Sequence, residues 1–262
     1  MLDVVDLNIE FHDTDKPSTV VYDFDLKMNE GEIVGLVGES GSGKSMSAMA
    51  IAGLLSRKDL TKRGSINFEG VDMLNCSRSE LRKIQGNDIS IIFQEPMTSL
   101  NPVKKIGWQM EEALRIHTNL SDEERKKKAL EMLANVDFDN PEVIYNKYPH
   151  ELSGGMRQRV MIGAALICNP KLLIADEPTT ALDVNTQEEI LELLKRVNKN
   201  TNTGILFISH DLSVVERICH RVLVMYHGRI VEEGTCEQVF NNPQNEYTKQ
   251  LIAAIPKFEK LK

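Results

Sequence analysis

No stretch of the chain approaches the roughly 18 consecutive apolar residues of a membrane-spanning helix, so no transmembrane segment is expected. The start, Met1-Leu2-Asp3, is acidic and lacks the basic opening of a signal peptide, so a cytosolic chain is expected. Positive charge is also short. Lys and Arg number 31 against 39 Asp and Glu, a net charge of −8 that argues against broad binding to nucleic-acid backbones, although a local basic patch stays open. The basic run Arg125-Lys126-Lys127-Lys128 directly follows Asp122-Glu123-Glu124 and reads as a solvated helix face with charges paired on neighbouring turns. Cys76, Cys168, Cys219 and Cys236 stand far apart without a C-x-x-C pair, so reduced, mostly buried thiols are expected instead of a metal or disulfide site. Internal repeats and low-complexity linkers are absent as well.

What is present is enough apolar content, 41% of 262 residues, to bury the core of one large α/β domain or two small ones. The chain is organised around Leu36-Val37-Gly38-Glu39-Ser40-Gly41-Ser42-Gly43-Lys44-Ser45. Ile33 to Val37 is a short β-branched run that reads as a buried strand, and Met46 to Leu55 has the small and apolar content of a packed helix. A loop wrapped around a polyphosphate needs torsions that a Cβ blocks and close approach of main-chain N–H groups, which Gly38, Gly41 and Gly43 permit. The helix that follows points unpaired N–H groups at the same anion. Lys44 supplies a point charge to the outer phosphates, and the Ser45 hydroxyl suits magnesium, which prefers oxygen ligands. A nucleoside triphosphate is the expected ligand.

In chain order, Val4 to Phe11 alternates apolar and polar side chains and suits an edge-type antiparallel strand. Val20 to Met28 alternates again, so a small antiparallel sheet opens the chain. After the loop helix come a strand at Gly64 to Phe68, a capped helix start at Ser77-Arg78-Ser79-Glu80 and a β-rich run at Asp88 to Phe93 ending in Gln94-Glu95-Pro96. From about 98 to 162 helical patterns dominate, with a second cap signature at Ser121 to Glu124, which predicts a helical subdomain inserted into an α/β core. Strands and helices then alternate: Leu172 to Ala175, Asn185 to Asn200, Gly204 to Ile208, Leu212 to Cys219, and strands around Val222 to Met225 and Arg229 to Val231. That alternation implies a parallel sheet covered on both faces. One cassette spanning 1–262, with a short C-terminal extension over about 235–262, is the simplest partition.

Several side chains carry candidate chemistry. Leu172 to Ala175 is an apolar strand that delivers Asp176 and Glu177 at its C-terminal end, where ligands of open α/β sheets bind. Asp176 suits the magnesium shell with Ser45, and Glu177 can orient and deprotonate a water in line with the γ-phosphate. Gln94 closes a strand where the helical stretch begins, so its amide can touch metal or attacking water; taken alone it reads as a polar turn residue. His210 follows the strand ending in Ser209 and can donate to the γ-phosphate, or simply be a satisfied loop histidine. Leu152-Ser153-Gly154-Gly155-Met156-Arg157-Gln158-Arg159 is a second anion-binding signal, a serine hydroxyl, two glycines and a helix start. One nucleotide needs only one cradle, so this second one points to a nucleotide held by another subunit.

Taken together, Gly38 to Ser45, Gln94, Leu152 to Arg159, Leu172 to Glu177, Ala181-Leu182-Asp183 and Ser209-His210 resemble, in order and spacing, the ATP-binding cassette ATPases across essentially the whole chain. The resemblance implies a P-loop NTPase fold with an antiparallel β subdomain and an inserted helical subdomain, and ATP with Mg2+ as cofactors. It implies nucleotide contacts from Gly38, Ser40, Gly41, Ser42, Gly43, Lys44, Ser45 and Met46, metal contacts from Ser45, Gln94 and Asp176, and catalytic roles for Glu177, His210 and Gln94. It also implies a head-to-tail dimer in which Ser153, Gly154 and Gly155 cover a partner's nucleotide and Asp183 communicates across the interface. Phe11 lies where the family offers an aromatic to adenine; Tyr22 is the weaker candidate, and a plain core role for Phe11 stays open.

Phe93 to Pro102 and Asn242 to Pro256 are similar to the corresponding regions of the oligopeptide, dipeptide and nickel importer ATPases, except that Asn245-Glu246 stands where His-Pro is expected. The cysteine cluster that binds an iron–sulfur centre in some longer relatives is not found here. The implied function is the ATP-hydrolysing subunit of an importer for peptides or peptide-like solutes, peripheral on the cytoplasmic face of the cell membrane. Its partners would be a second cassette subunit, two permeases and an extracytoplasmic binding protein. Short permease helices are expected to dock along Met97 to Trp108. A nickel or metal-chelate importer is the alternative, and a soluble cassette acting on DNA or ribosomes the more distant one.

Overall fold

The computed structural model describes residues 1–12, 17–57, 59–94, 99–180 and 182–255. Its first elements are β1 (Leu2–Phe11), β2 (Ser18–Met28), β3 (Ile33–Val37), α1 (Lys44–Ile51), β4 (Leu60–Phe68), β5 (Val71–Asp72), α2 (Arg78–Ile84) and β6 (Ile89–Ile92). A helical stretch follows, α3 (Ile106–Met110), α4 (Glu112–His117), α5 (Asp122–Asn135), α6 (Pro141–Asn146), a 3-10 turn at Pro149–Glu151 and α7 (Gly154–Leu166). The rest is β7 (Leu172–Asp176), α8 (Val184–Thr201), β8 (Gly204–Ser209), α9 (Leu212–Ile218), β9 (Arg221–Tyr226), β10 (Arg229–Thr235), α10 (Cys236–Asn241) and α11 (Glu246–Ala253). These elements fall into two compact units. A β-rich unit holds Leu2–Met28, Ile33–Leu74 and the chain from Leu206 onward; a helix-rich unit holds Met1, Asn29–Glu32 and Asn75–Ile205.

In the β-rich unit, four strands form an antiparallel sheet in the order β2-β1-β4-β5. β1 is therefore not the edge strand that its alternation suggests: it pairs with β2 from Leu2↔Met28 to Phe11↔Ser18 and with β4 from Leu2↔Phe68 to Phe11↔Leu60. Alternation reports only that one face is buried, and an inner antiparallel strand satisfies that as well as an edge does. The alternation is also broken in phase. Asp6 adopts φ +51°, its N–H donates to Asp25 Oδ1 at 2.7 Å, and Asn8 Nδ2 donates to Asp6 O at 3.0 Å. This bulge buries both Val4 and Leu7 and leaves Val5 49% exposed. In the same unit β9 runs parallel to β3, from Val34↔Arg221 to Val37↔Val224, and antiparallel to β10. Every side chain of β3 and of Val222 to Met225 is buried, as expected for apolar strands covered on both faces.

In the helix-rich unit, β6 pairs in parallel with β7, from Ile89↔Leu172 to Ile92↔Ala175. Both capping signatures form as reciprocal boxes, Ser77 with Glu80 at α2 and Ser121 with Glu124 at α5. Lys126, Lys127 and Lys128 are exposed on α5, the solvated face expected of that basic run, and Arg125 is half-buried and pairs with Asp122. The helical stretch closes on an ionic cluster that the sequence does not announce. The Glu111 carboxylate, 5% exposed, accepts from the Tyr145 hydroxyl and from Arg115 Nη2. Burial first, and then this carboxylate, push the Tyr145 hydroxyl up to about 12. All four cysteines are free thiols; Cys219 and Cys236 are buried, Cys76 and Cys168 half-buried. Among the described residues no helix is long and apolar enough to cross a membrane.

Candidate nucleotide site

The loop between β3 and α1 is shaped by backbone that only glycine accepts. Gly38 has φ +151°, Gly41 φ +80° and Gly43 φ +108°. A Cβ on Gly38 would sit 2.1 Å from Met225 O, and one on Gly43 would sit 2.9 Å from Val20 O. The loop is therefore pressed against β9 on one side and β2 on the other, and these glycines are needed twice over. The turn after β9 reinforces it, since Gly228 N donates to Ser42 O at 2.9 Å. α1 begins at Gly43 with no side-chain cap, so its first-turn N–H groups are not consumed by a side chain. Lys44 is only 5% exposed, and its Nζ donates to Gly38 O at 2.7 Å and Glu39 O at 2.8 Å, spanning the loop. Ser45 and Met46 are half-buried on the first turn; Ser40 and Gly41 are exposed and Ser42 buried.

These residues fit a nucleotide triphosphate with magnesium. The cradle is one that added Cβ atoms would fill, and the Ser45 hydroxyl is a hard oxygen donor of the kind magnesium takes; within the helix-rich unit Asp176 and Gln94 carry donors of the same kind. Among the described residues no cluster of three His, Cys, Asp or Glu could cage a metal alone.

In the helix-rich unit the parallel register explains how two distant residues meet. Ile92 lies opposite Ala175, and continuing that register by two residues sets Gln94 beside Glu177. Gln94 Nε2 donates to Glu177 Oε2 at 2.8 Å, and Thr180 Oγ1 donates to the same oxygen at 2.9 Å. Gln94 thus acts directly on the candidate base, a contact not foreseen in the sequence, where it was assigned to metal or water. Glu177 has φ +49°, a left-handed backbone for a non-glycine residue, which costs on the order of 1–3 kcal/mol and marks a position held by its surroundings. Asp176, by contrast, ends β7 in regular strand and is 7% exposed.

Ser153 caps α7, accepting from Met156 N at 3.3 Å, with Ser153 and Gly154 exposed. Asp183 caps α8, accepting from Thr186 N at 3.0 Å and Thr186 Oγ1 at 2.7 Å; the Thr186 hydroxyl holds its carboxyl below the usual range. The two helix starts touch through Thr186, because a Cβ on Gly155 would lie 2.5 Å from Thr186 Cγ2. Farther along, Arg159 Nη2 bonds Glu189 Oε2 at 2.5 Å. Sequence reading missed Thr180, Thr186 and Glu189; the i+3 spacings of Thr180 from Glu177 and of Thr186 from Asp183 were the available signals.

In the β-rich unit, His210 is exposed just past β8, before the Asp211 cap of α9. Phe11 ends β1 half-buried with the Arg57 guanidinium 5.3 Å from its ring centre. Tyr22 carries Arg229 at 4.6 Å, and its N–H donates to Gly228 O at 2.8 Å. Of the expected motif positions, Ala181 lies outside the described residues, as do Glu95, Pro96, Met97 and Thr98.

A model of the ABC transporter family matches residues 21–180. The chain belongs to the ABC transporter family. Over 98% of its length this cassette is 45% identical to a dipeptide transport ATP-binding protein of Haemophilus influenzae, of which it covers 78%. It is 49% identical to an oligopeptide transport ATP-binding protein of Bacillus subtilis, over 98% of the chain and 78% of the relative. Among solved structures, a dimeric ATP-binding cassette in a post-hydrolysis state with ADP and Pi superposes with a TM-score of 0.80 at 30% identity, covering 90% of this chain and 99% of that one. The mixed α/β cassette fold expected from the motifs is thereby established, and ATP is the nucleotide of this cassette's family.

Proposed function

We propose that this cassette is the ATP-hydrolysing subunit that powers import of peptides or peptide-like solutes. The observation that carries hydrolysis is the Glu177 carboxylate held by Gln94 and Thr180 at the end of a buried strand. Two donors on one carboxylate oxygen fix the orientation of the Glu177 side chain, the positioning that general-base catalysis needs. Lys44 and the glycine loop bind the phosphates, and Phe11 stacks on the adenine. Magnesium, when bound, neutralises phosphate charge; Ser45, Gln94 and Asp176 would hold it. His210 donates to the γ-phosphate. Ser153, Gly154 and Gly155 reach a nucleotide held by a second cassette subunit, with Asp183 beside them.

The peptide reading is supported by the named transport roles of the relatives from Haemophilus influenzae and Bacillus subtilis. Its partners are a second cassette subunit, two permeases and an extracytoplasmic binding protein, and its place is the cytoplasmic face of the membrane. Trp108, 40% exposed between Lys104 at 4.6 Å and Arg115 at 4.9 Å, belongs to the surface the permeases contact. Uptake of radiolabelled di- and oligopeptides in cells lacking this gene tests the reading. Wild-type protein restores uptake and Glu177→Gln does not; restoration of nickel uptake instead of peptide uptake would overturn the peptide assignment.

A further inference from the structure

The last described helix, α11, is left without a task by the reading above. Its first turn is anchored firmly. Glu232 on β10 accepts from Gln244 N at 2.7 Å and Asn245 N at 3.0 Å, and the Asn245 side chain accepts from Tyr247 N at 2.9 Å. Asparagine at 245, where His-Pro is expected, is thus the cap of the helix. The anchoring places Tyr247 against Tyr226, with ring centres 4.1 Å apart. Tyr226 directly follows Met225, whose carbonyl crowds Gly38. Tyr247 is 9% exposed, and its hydroxyl accepts the Glu39 N–H of the phosphate loop at 3.0 Å.

Glu39 follows Gly38, whose φ of +151° only glycine adopts easily, so the peptide joining them has alternatives that an L side chain at 38 would exclude. A loop that grips phosphate with its inward N–H groups must turn others outward, and an outward N–H without an acceptor lets that peptide flip. We propose that Tyr247 is a positioning residue for nucleotide binding: its hydroxyl fixes the Gly38–Glu39 peptide, so that the C-terminal extension presets the phosphate loop. The gain is preorganisation, conformational freedom removed before the nucleotide arrives. This inference rests on Gly38 to Ser45 being the phosphate-binding loop.

Tyr247→Phe removes the hydroxyl and keeps the ring stack. Equilibrium titration of the full chain with a fluorescent ATP analogue and magnesium should show affinity weakened about three- to tenfold, the worth of one net hydrogen bond. KM for ATP should rise with kcat unchanged, and the melting temperature without nucleotide should stay at the wild-type value. Wild-type affinity in Tyr247→Phe overturns the proposal, as does a loss of kcat with a matching fall in melting temperature, which marks a purely structural role. Lys44→Ala, titrated alongside, separates the premises: affinity should fall about 10- to 100-fold, and if it does not, the phosphate-loop reading itself fails.

Discussion

The chain has two glycine loops that open helices, and they are built on opposite terms. In the loop before α1, Gly38 and Gly43 occupy left-handed backbone and their missing Cβ atoms leave room for Met225 and Val20 of the same chain. In the loop before α7, Gly154 has nothing within 4 Å of where a Cβ would stand, and neither Gly154 nor Gly155 has the positive φ that favours glycine. Gly155 is required only for the approach of Thr186. In the first loop the fold presses on Gly38 and Gly43, while Gly41 is required by its positive φ alone. At Gly154 no described residue lies within 4 Å of where a Cβ would stand, so packing within the described chain leaves that position open.

The sharpest test of this contrast uses Glu177→Gln, which should cut phosphate release about 10²- to 10⁴-fold while leaving equilibrium ATP binding intact. In that background ATP should drive dimer formation, read by light scattering, and adding Gly154→Ala should reduce it; an undiminished dimer would break the contrast. Gly38→Ala comes next, with a melting temperature lowered by the equivalent of about 1–3 kcal/mol from backbone strain and weakened ATP binding by the lone chain. Gly154→Ala is the smallest in stability, within about 0.5 kcal/mol of wild type, with ATP binding by the lone chain unchanged and ATP-saturated turnover lower by about tenfold. If the two alanine variants melt alike, the loops are not built differently.

The same contrast shows what was legible in sequence. The positions of Lys44, Asp176, Glu177 and Ser153 at a loop, a strand end and a helix start were legible because those features are local and each carries a spacing pattern. The Gln94–Glu177 bond was not found, because it depends on which strand lies beside β7 and in what register. β1 was placed at an edge because alternation records burial of one face and is silent on how many neighbours a strand has. The Arg115–Glu111 pair has the i,i+4 spacing of a helix, but the Tyr145 hydroxyl reaches Glu111 from a separate helix, for which no periodicity exists.

By itself the sequence determined the α/β alternation, the helical stretch and the strand, glycine loop and helix of the phosphate loop, since these follow from short-range torsional, periodic and capping requirements, and its ordered motifs carried the resemblance that implied the cassette fold and ATP. Only the tertiary structure decided what stands behind the loop. Met225 and Val20 close on its glycines, Gly228 and Tyr247 satisfy its outward groups, and Thr186 fills the space at Gly155. Those contacts come from residues far apart in the chain, joined by register and packing that no local pattern encodes.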